Sequence, residues 1–361
     1  MSTRETNLDR RQFLAASAGA VAAAMVSQDV LAAAPQPRVV VARGAAKLAP
    51  PEAAYTRLKA ALERLGGFDN LIKGKRVLLK INGTDKLSQD ANTSTGMAAA
   101  VLRVVKETGG AKSVAVLGQE WDGYDCPRAG QPTLREVIKT AGVDLLELTH
   151  WWLRTEMYER RVPKGGGWKE LWVTKAIFEP DTVVINVPRL KTHAFTLYTG
   201  CVKNVIGLTW HMYGFHCVDD RNPEAGKSDK HPSRVQGWQL FPGKLSAAYH
   251  EIFRERIALN ILDAGDPTFG WGGPAPERIT TFPANAVIVG TDALACDACG
   301  MHLLHQQRPD AIPEALDDWT QGESPYVKNN TTRGNYLAEC QKLGAGQADL
   351  SKVTVDEVTV A

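Results

Sequence analysis

The chain has 361 residues, 44% hydrophobic and 23% charged, an ordinary globular composition with enough apolar mass for a full core. Its 42 Lys and Arg against 40 Asp and Glu leave a formal net charge of +2 with no basic stripe, which argues against a nucleic-acid partner. No stretch approaches the roughly 20 consecutive apolar residues of a bilayer span, so no membrane anchor is expected, and no heptads or internal repeats occur.

Residues 1–34 read as a twin-arginine export signal. Arg10 and Arg11 lie in Asp9-Arg10-Arg11-Gln12-Phe13-Leu14, an uncharged Ala-rich run extends from Phe13 to Val26, and Ala32, Ala33 and Ala34 precede Pro35. A basic start, a short apolar run and a small-residue cleavage site are the three parts of such a signal, and peptidases need small side chains before the cut. Cleavage after Ala32 is expected. The expected partner is then the twin-arginine translocase, and the expected location is the periplasm or the extracellular space. Because that route carries folded proteins, a cofactor loaded before export is consistent with it. The remaining residues, 35–361, are expected to form a single α/β domain of roughly 325 residues.

Strand-like and helix-like stretches alternate along it. Arg38–Ala42 reads as a strand, Glu52–Leu65 as a helix stopped by Gly66-Gly67, and Arg76–Ile81 as a buried strand. Gly96–Thr108 reads as a helix, Ser113–Leu117 as a strand, Pro132–Ala141 as a helix and Leu145–Leu148 as a strand. This order predicts a mostly parallel sheet with helices on both faces, in Rossmann-like layers. Trp151–Trp172, with the Gly165-Gly166-Gly167 turn, is expected to form a hairpin or flap, and Thr182–Val187 a buried strand. Tyr213–Phe241 is polar and weakly periodic and reads as a long loop or lid insertion. Leu245–Arg256 reads as a helix, Ile257–Leu262 as a strand, Gly265–Pro276 as a loop, Ala286–Val289 as a strand and Asp292–His305 as a helix. An extension over 306–361 shows helical pieces near Glu314–Gln321 and Asn335–Leu343 and a final strand, Lys352–Val360.

Ligands of open α/β sheets bind beyond the C-terminal ends of the strands, and four such ends are unusually polar here. They carry Lys80 and Asn82, then Arg189, Lys191 and His193, then Asp263, then Asp292 with Asp297 in the following helix. The turn Thr199–Gly207 adds Lys203 and Asn204. Converging, these groups would suit an anionic ligand, a carboxylate or phosphate, beside a proton-transfer group. Each also has a structural reading. Lys80 and Lys203 read as solvated lysines, Asn82 as a turn residue, Asp292 as a helix N-cap and His193 as a structural histidine.

Six cysteines are present, Cys126, Cys201, Cys217, Cys296, Cys299 and Cys340, without ferredoxin spacing, so no iron–sulfur motif is found. His211, His216 and Cys217 place three metal-ligand types within seven residues, in no standard zinc pattern. Cys296 and Cys299 have CxxC spacing on an amphipathic helix and read as a redox or metal pair, a disulfide, or buried helix-face residues.

These residues also carry a resemblance. Val184-Ile-Asn-Val-Pro-Arg-Leu-Lys-Thr-His193, followed by Thr199-Gly-Cys-Val-Lys-Asn-Val-Ile-Gly207, is similar to the pattern "IN-x-PKLKTH … TGALKNLFG" of the family called domain of unknown function 362. Val77–Asn82, Asp263 with Gly272-Gly273-Pro274, and Gly290–Asp297 support it, so the resemblance covers about Val39 to Leu304. It implies that Lys80, Asn82, Lys191, His193, Lys203, Asn204, Asp263, Asp292 and Asp297 belong to one site, but it brings no reaction. Arg189 stands where that family usually has Lys, and Cys296 and Cys299 stand at apolar positions of its pattern. The ferredoxin-like module sometimes fused to that family is missing, so electron transfer would need a separate redox partner.

Three functions fit. The first is an enzyme for a small anionic substrate, with His193, Lys203 and Asp292 as catalytic groups. Lys80, Asn82, Lys191, Asn204, Asp263 and Asp297 would then bind the ligand. The second is a redox protein holding a transition metal or another cofactor of unknown type, with His193, His211, His216 or Cys217 as ligands beside carboxylates. The third is a non-catalytic binding protein for a small-molecule ligand.

Overall fold

The computed structural model describes residues 36–45, 51–85, 88–119, 122–128, 130–148, 154–193, 196–210, 214–215, 232–269, 279–309 and 336–360. Unbroken apolar runs became the central strands, because a strand covered on both faces has no polar side to show. In β2 (Arg76–Ile81) every residue after the first is buried, and in β12 (Ala286–Gly290) all are. The main sheet also contains β1 (Arg38–Gly44), β3 (Ser113–Gln119), β4 (Asp144–Leu148), β7 (Thr182–Val187), β10 (Ile257–Phe269) and β13 (Thr354–Val360). Its order is β13-β1-β12-β10-β7-β2-β3-β4. Neighbours are parallel except on either side of β12, which runs antiparallel to both β1 and β10. The expected α/β fold with a mostly parallel sheet is therefore observed.

Side chains alternate across this sheet, and each face has its own core. Val40, Val77, Leu79 and Ile185 pack under α1 (Pro51–Leu65), α2 (Thr95–Thr108) and α3 (Leu134–Thr140). Val39, Leu78 and Val184 pack under α4 (Cys201–Asn204), α5 (Pro232–Ala248), α6 (Ala293–Gln307) and α7 (Tyr336–Lys342). Local chemistry sets several helix starts. Ser94 Oγ accepts from Met97 N at α2, and Thr133 with Glu136 forms a reciprocal capping box at α3. The anticipated hairpin appears as β5 (Tyr158–Arg160) against β6 (Trp172–Thr174), with Gly166 and Gly167 at φ 71 and 70 in its loop.

Two expectations need correction. The loop assigned to Tyr213–Phe241 ends early, because Pro232–Ala248 is a helix. Pro232 occupies its first position, where a missing N–H costs nothing, while Pro242 inside it blurs the helical pattern of the sequence. Ser246 Oγ donates to the Pro242 carbonyl at 2.6 Å. The loop assigned to Gly265–Pro276 also begins late, because β10 continues to Phe269. It does so by changing partners. Its first part pairs with β7 and β12, and Asp263 and Thr268 then pair with Arg189 and Lys191 of β8 (Arg189–His193). The register shift between those pairs absorbs Gly265 and Pro267, which a straight ladder would not tolerate. Strand β8 turns back through β9 (Leu197–Thr199).

Pro37–Ala361 forms one compact unit. The C-terminal extension is part of the sheet, since β13 pairs with β1 over its whole length. Glu314–Gln321 and residues 1–34, expected to be an export signal, lie outside the described residues. No helix among the described residues is long and apolar enough to cross a membrane.

Candidate functional site

A row of polar residues crosses the middle of the sheet on the α4 face. Lys80 of β2 is in register with Asn186 of β7, Asn186 with Asn260 of β10, and Asn260 with Gly290 of β12. Every side chain in the row is buried, Asn186 and Asn260 completely. Buried amides must find partners, and these find each other. Asn260 Nδ2 reaches the Thr291 carbonyl at 3.4 Å, and Asn186 Nδ2 donates to Asn260 Oδ1 at 2.9 Å and to the Cys201 carbonyl at 2.9 Å. Asn204 of α4 closes the row. Its Nδ2 donates to Asn186 Oδ1 at 2.8 Å and to the Lys80 carbonyl at 3.1 Å, while its Oδ1 accepts from Asn82 Nδ2 at 3.2 Å. Asn82 and Asn204 thus spend their amides on the scaffold.

Three lysines stand on this scaffold. Lys191 Nζ donates to Asn82 Oδ1 at 3.0 Å, to the Ala91 carbonyl at 2.5 Å and to Thr84 Oγ1 at 3.4 Å. Lys203 Nζ donates to Thr196 Oγ1 at 3.0 Å and Thr199 Oγ1 at 3.4 Å, and lies 5.5 Å from the Phe241 ring. Lys80 Nζ donates to the Ile81 carbonyl at 2.6 Å. Thr199 is the register partner of Lys191 across the β8–β9 hairpin, which brings the Lys203 partners alongside Lys191.

Burial sets the charge state of these amines. Desolvation pulls Lys80 down to about 7 and Lys191 to about 7; at Lys191 the Asp85 charge opposes the fall, and Arg189 and Lys80 add to it. Lys203 lies well below the ordinary lysine range, through desolvation and then the charge of Lys191. Among the described residues, no carboxylate pairs with Lys80 or Lys203. His193, on the same hairpin, is buried, and its Nδ1 accepts from Thr196 N at 3.4 Å, which leaves the proton of a neutral ring on Nε2.

The carboxylates have other partners. Asp297 accepts from Cys201 N at 2.5 Å, Val202 N at 3.0 Å and the Tyr198 hydroxyl at 2.9 Å, so it fixes the start of α4. Desolvation nevertheless pushes it up to about 6. Gly200 is required there, since a Cβ would overlap Asp297 and Tyr198. Asp263 pairs with Arg189 at 3.0 Å and accepts from Ser94 N at 2.8 Å. Asp292 caps α6 through Leu294 N and Ala295 N and accepts from Gln347 N at 2.9 Å. The structure therefore gathers Lys80, Asn82, Lys191, His193, Lys203 and Asn204. Asp297 supports this group from behind, and the hydrogen bonds of Asp263 and Asp292 go to other groups.

His211, His216 and Cys217 lie outside the described residues, among which no cluster of three metal-ligating side chains occurs. Cys296 and Cys299 are free and buried on α6. Asn186, Asn260, Tyr198, Thr196 and Thr199 were not anticipated. A lone Asn inside Val-Val-Ile-Asn-Val or Leu-Asn-Ile-Leu is the signal that could have found the first two, because a buried amide implies a partner.

Known proteins extend this picture. A curated thylakoid-associated protein of Synechocystis sp. is 31% identical over 166 residues, 43% of this chain, and the chain spans about half the length of that relative, 48%. A crystal structure of a Thermotoga maritima protein aligns over 70% of this chain and 59% of its own, with a TM-score of 0.42 and 18% identity. The family model described as domain of unknown function (DUF362) matches residues 77–302, the span from β2 through most of α6 that holds all three lysines and the asparagine row. The chain belongs to the DUF362 family.

Proposed function

We propose that the Lys80–Lys191–Lys203 group is the anion-binding centre of an enzyme that acts on a small carboxylate or phosphate by proton transfer. One observation carries this reading: among the described residues, Lys80 and Lys203 are buried and their hydrogen-bond partners are neutral. A buried ammonium without a counter-charge is costly, so an anionic ligand would supply what the protein withholds. An amine near 7 is also matched to taking a proton at neutral pH, and a neutral His193 would offer its Nε2–H as a hydrogen bond to the ligand. The asparagine row would hold the lysines in place. Oxalate or phosphate added to the purified protein at constant ionic strength is expected to raise its melting temperature by a few degrees, since ligand at 100 times Kd adds about 2.7 kcal/mol. Lys203→Met should remove that shift while leaving the circular dichroism spectrum unchanged. No shift with any small anion would sink the reading.

We also propose that residues 1–34 direct export of the folded chain. Changing Arg10 and Arg11 together to Lys should move the protein from the periplasmic to the cytoplasmic fraction of a bacterial host, detected by immunoblot. Unchanged fractionation would remove the proposal.

A further inference from the structure

We infer that Lys203 is a nucleophile that forms an imine with the carbonyl of a small keto- or aldehydo-acid. This inference rests on the anion-centre reading and names its substrate class. A lysine serves as a nucleophile when it is kept neutral by burial or by another cation nearby. Lys203 has both features: its side chain is buried, and Lys191 stands across the hairpin from its partner Thr199. Its contacts among the described residues carry no negative charge: two threonine hydroxyls and the Phe241 ring. The Thr196 hydroxyl donates to the Tyr198 carbonyl at 3.0 Å, so it meets Lys203 as an acceptor and orients the nitrogen by one N–H. The nitrogen lone pair then points away from Thr196. Asn204, the next residue, is held by the asparagine row, and Asp297 pins the two residues before Lys203. The amine therefore sits on a fixed backbone.

In the reaction the Nζ lone pair attacks the carbonyl carbon and forms a C–N bond, giving a carbinolamine. The C–O bond then breaks, and the former carbonyl oxygen leaves as water with the two amine hydrogens. No electrons are gained or lost overall. Lys80 and Lys191, protonated when an anion is bound, would hold the carboxylate. The imine would withdraw electrons from the neighbouring carbon, which makes proton removal there easier.

The test is reductive trapping. The full chain is incubated with pyruvate or glyoxylate and sodium cyanoborohydride, which reduces an imine to a stable secondary amine. Peptide mass mapping is expected to find one modified lysine, Lys203, heavier by the mass of the probe less one oxygen. Lys203→Arg should lose the label while still melting cooperatively. Thr196→Val, which keeps the amine but not its orientation, should slow labelling at least tenfold. Labelling confined to Lys80, Lys191 or exposed lysines would overturn the inference. So would absence of any label when oxalate, which cannot form an imine, still stabilises the protein; the anion-centre reading would then survive. If neither labelling nor stabilisation by oxalate or phosphate occurs, both fall together.

Discussion

Replacing Lys80 by Met is expected to make the ligand-free protein more stable near pH 7. Most substitutions of buried residues have the opposite effect. Here the folded state holds the Lys80 proton far less tightly than the unfolded chain, about 7 against the usual 10.5. Between those values the unfolded state binds more protons, so stability rises with pH across that window, and the full penalty is present below it. Met fits the space of the lysine stem and carries no charge, and among the described residues the hydrogen bond lost is the one to the Ile81 carbonyl. The gain should be roughly 3–5 kcal/mol at or below pH 7 and should shrink toward zero by about pH 10. Urea denaturation of parent and variant across that range measures it. A Met variant less stable than the parent at pH 7 would show that the amine is charged and already compensated. Saturating oxalate should erase the difference or reverse it, because the parent then gains a counter-charge that the variant cannot use.

Asn186→Ala is expected to be among the most damaging single changes in the molecule. Asn186 joins β7 to β10 and to α4 through three hydrogen bonds, all of them buried. Alanine would leave the Cys201 carbonyl, Asn260 Oδ1 and one Asn204 amide proton without that partner. Each buried group left short costs about 1–3 kcal/mol, so a loss of about 3–5 kcal/mol is expected in urea denaturation. Leucine should not rescue it, because the orphaned groups would remain. A loss below about 1 kcal/mol would show that the row is replaceable by water. The contrast with Lys80 is informative, since both residues lie in one row and only one is satisfied by its neighbours.

The sheet was legible wherever strands are apolar. Thr182–Val187 and Arg76–Ile81 have the boundaries that their hydropathy predicts. Strand β8 was not legible, because Arg-Leu-Lys-Thr-His reads as an exposed strand end, yet all five residues are buried. Burial of that run becomes possible only because Asp263 neutralises Arg189 and Asn82 receives Lys191, and no local pattern encodes contacts so distant in sequence. The site was legible as a set of residue types. Their division of labour was not, since an aspartate that caps a helix and one that meets a ligand look alike in sequence. Asp292 and Asp297 show this, as each gives its oxygens to backbone N–H groups.

Strand β1 has a consequence for how the chain matures. Among the described strands it comes first in the chain, yet its two neighbours are β12 and β13, the last two. Until β12 and β13 have been made, β1 offers two bare edges and a wholly apolar Val39–Ala42 core segment. Such long-range pairing folds slowly and leaves sticky intermediates exposed. The interval between synthesis of β1 and closure of the sheet by β12 and β13 is therefore the one in which this edge is open to wrong pairing.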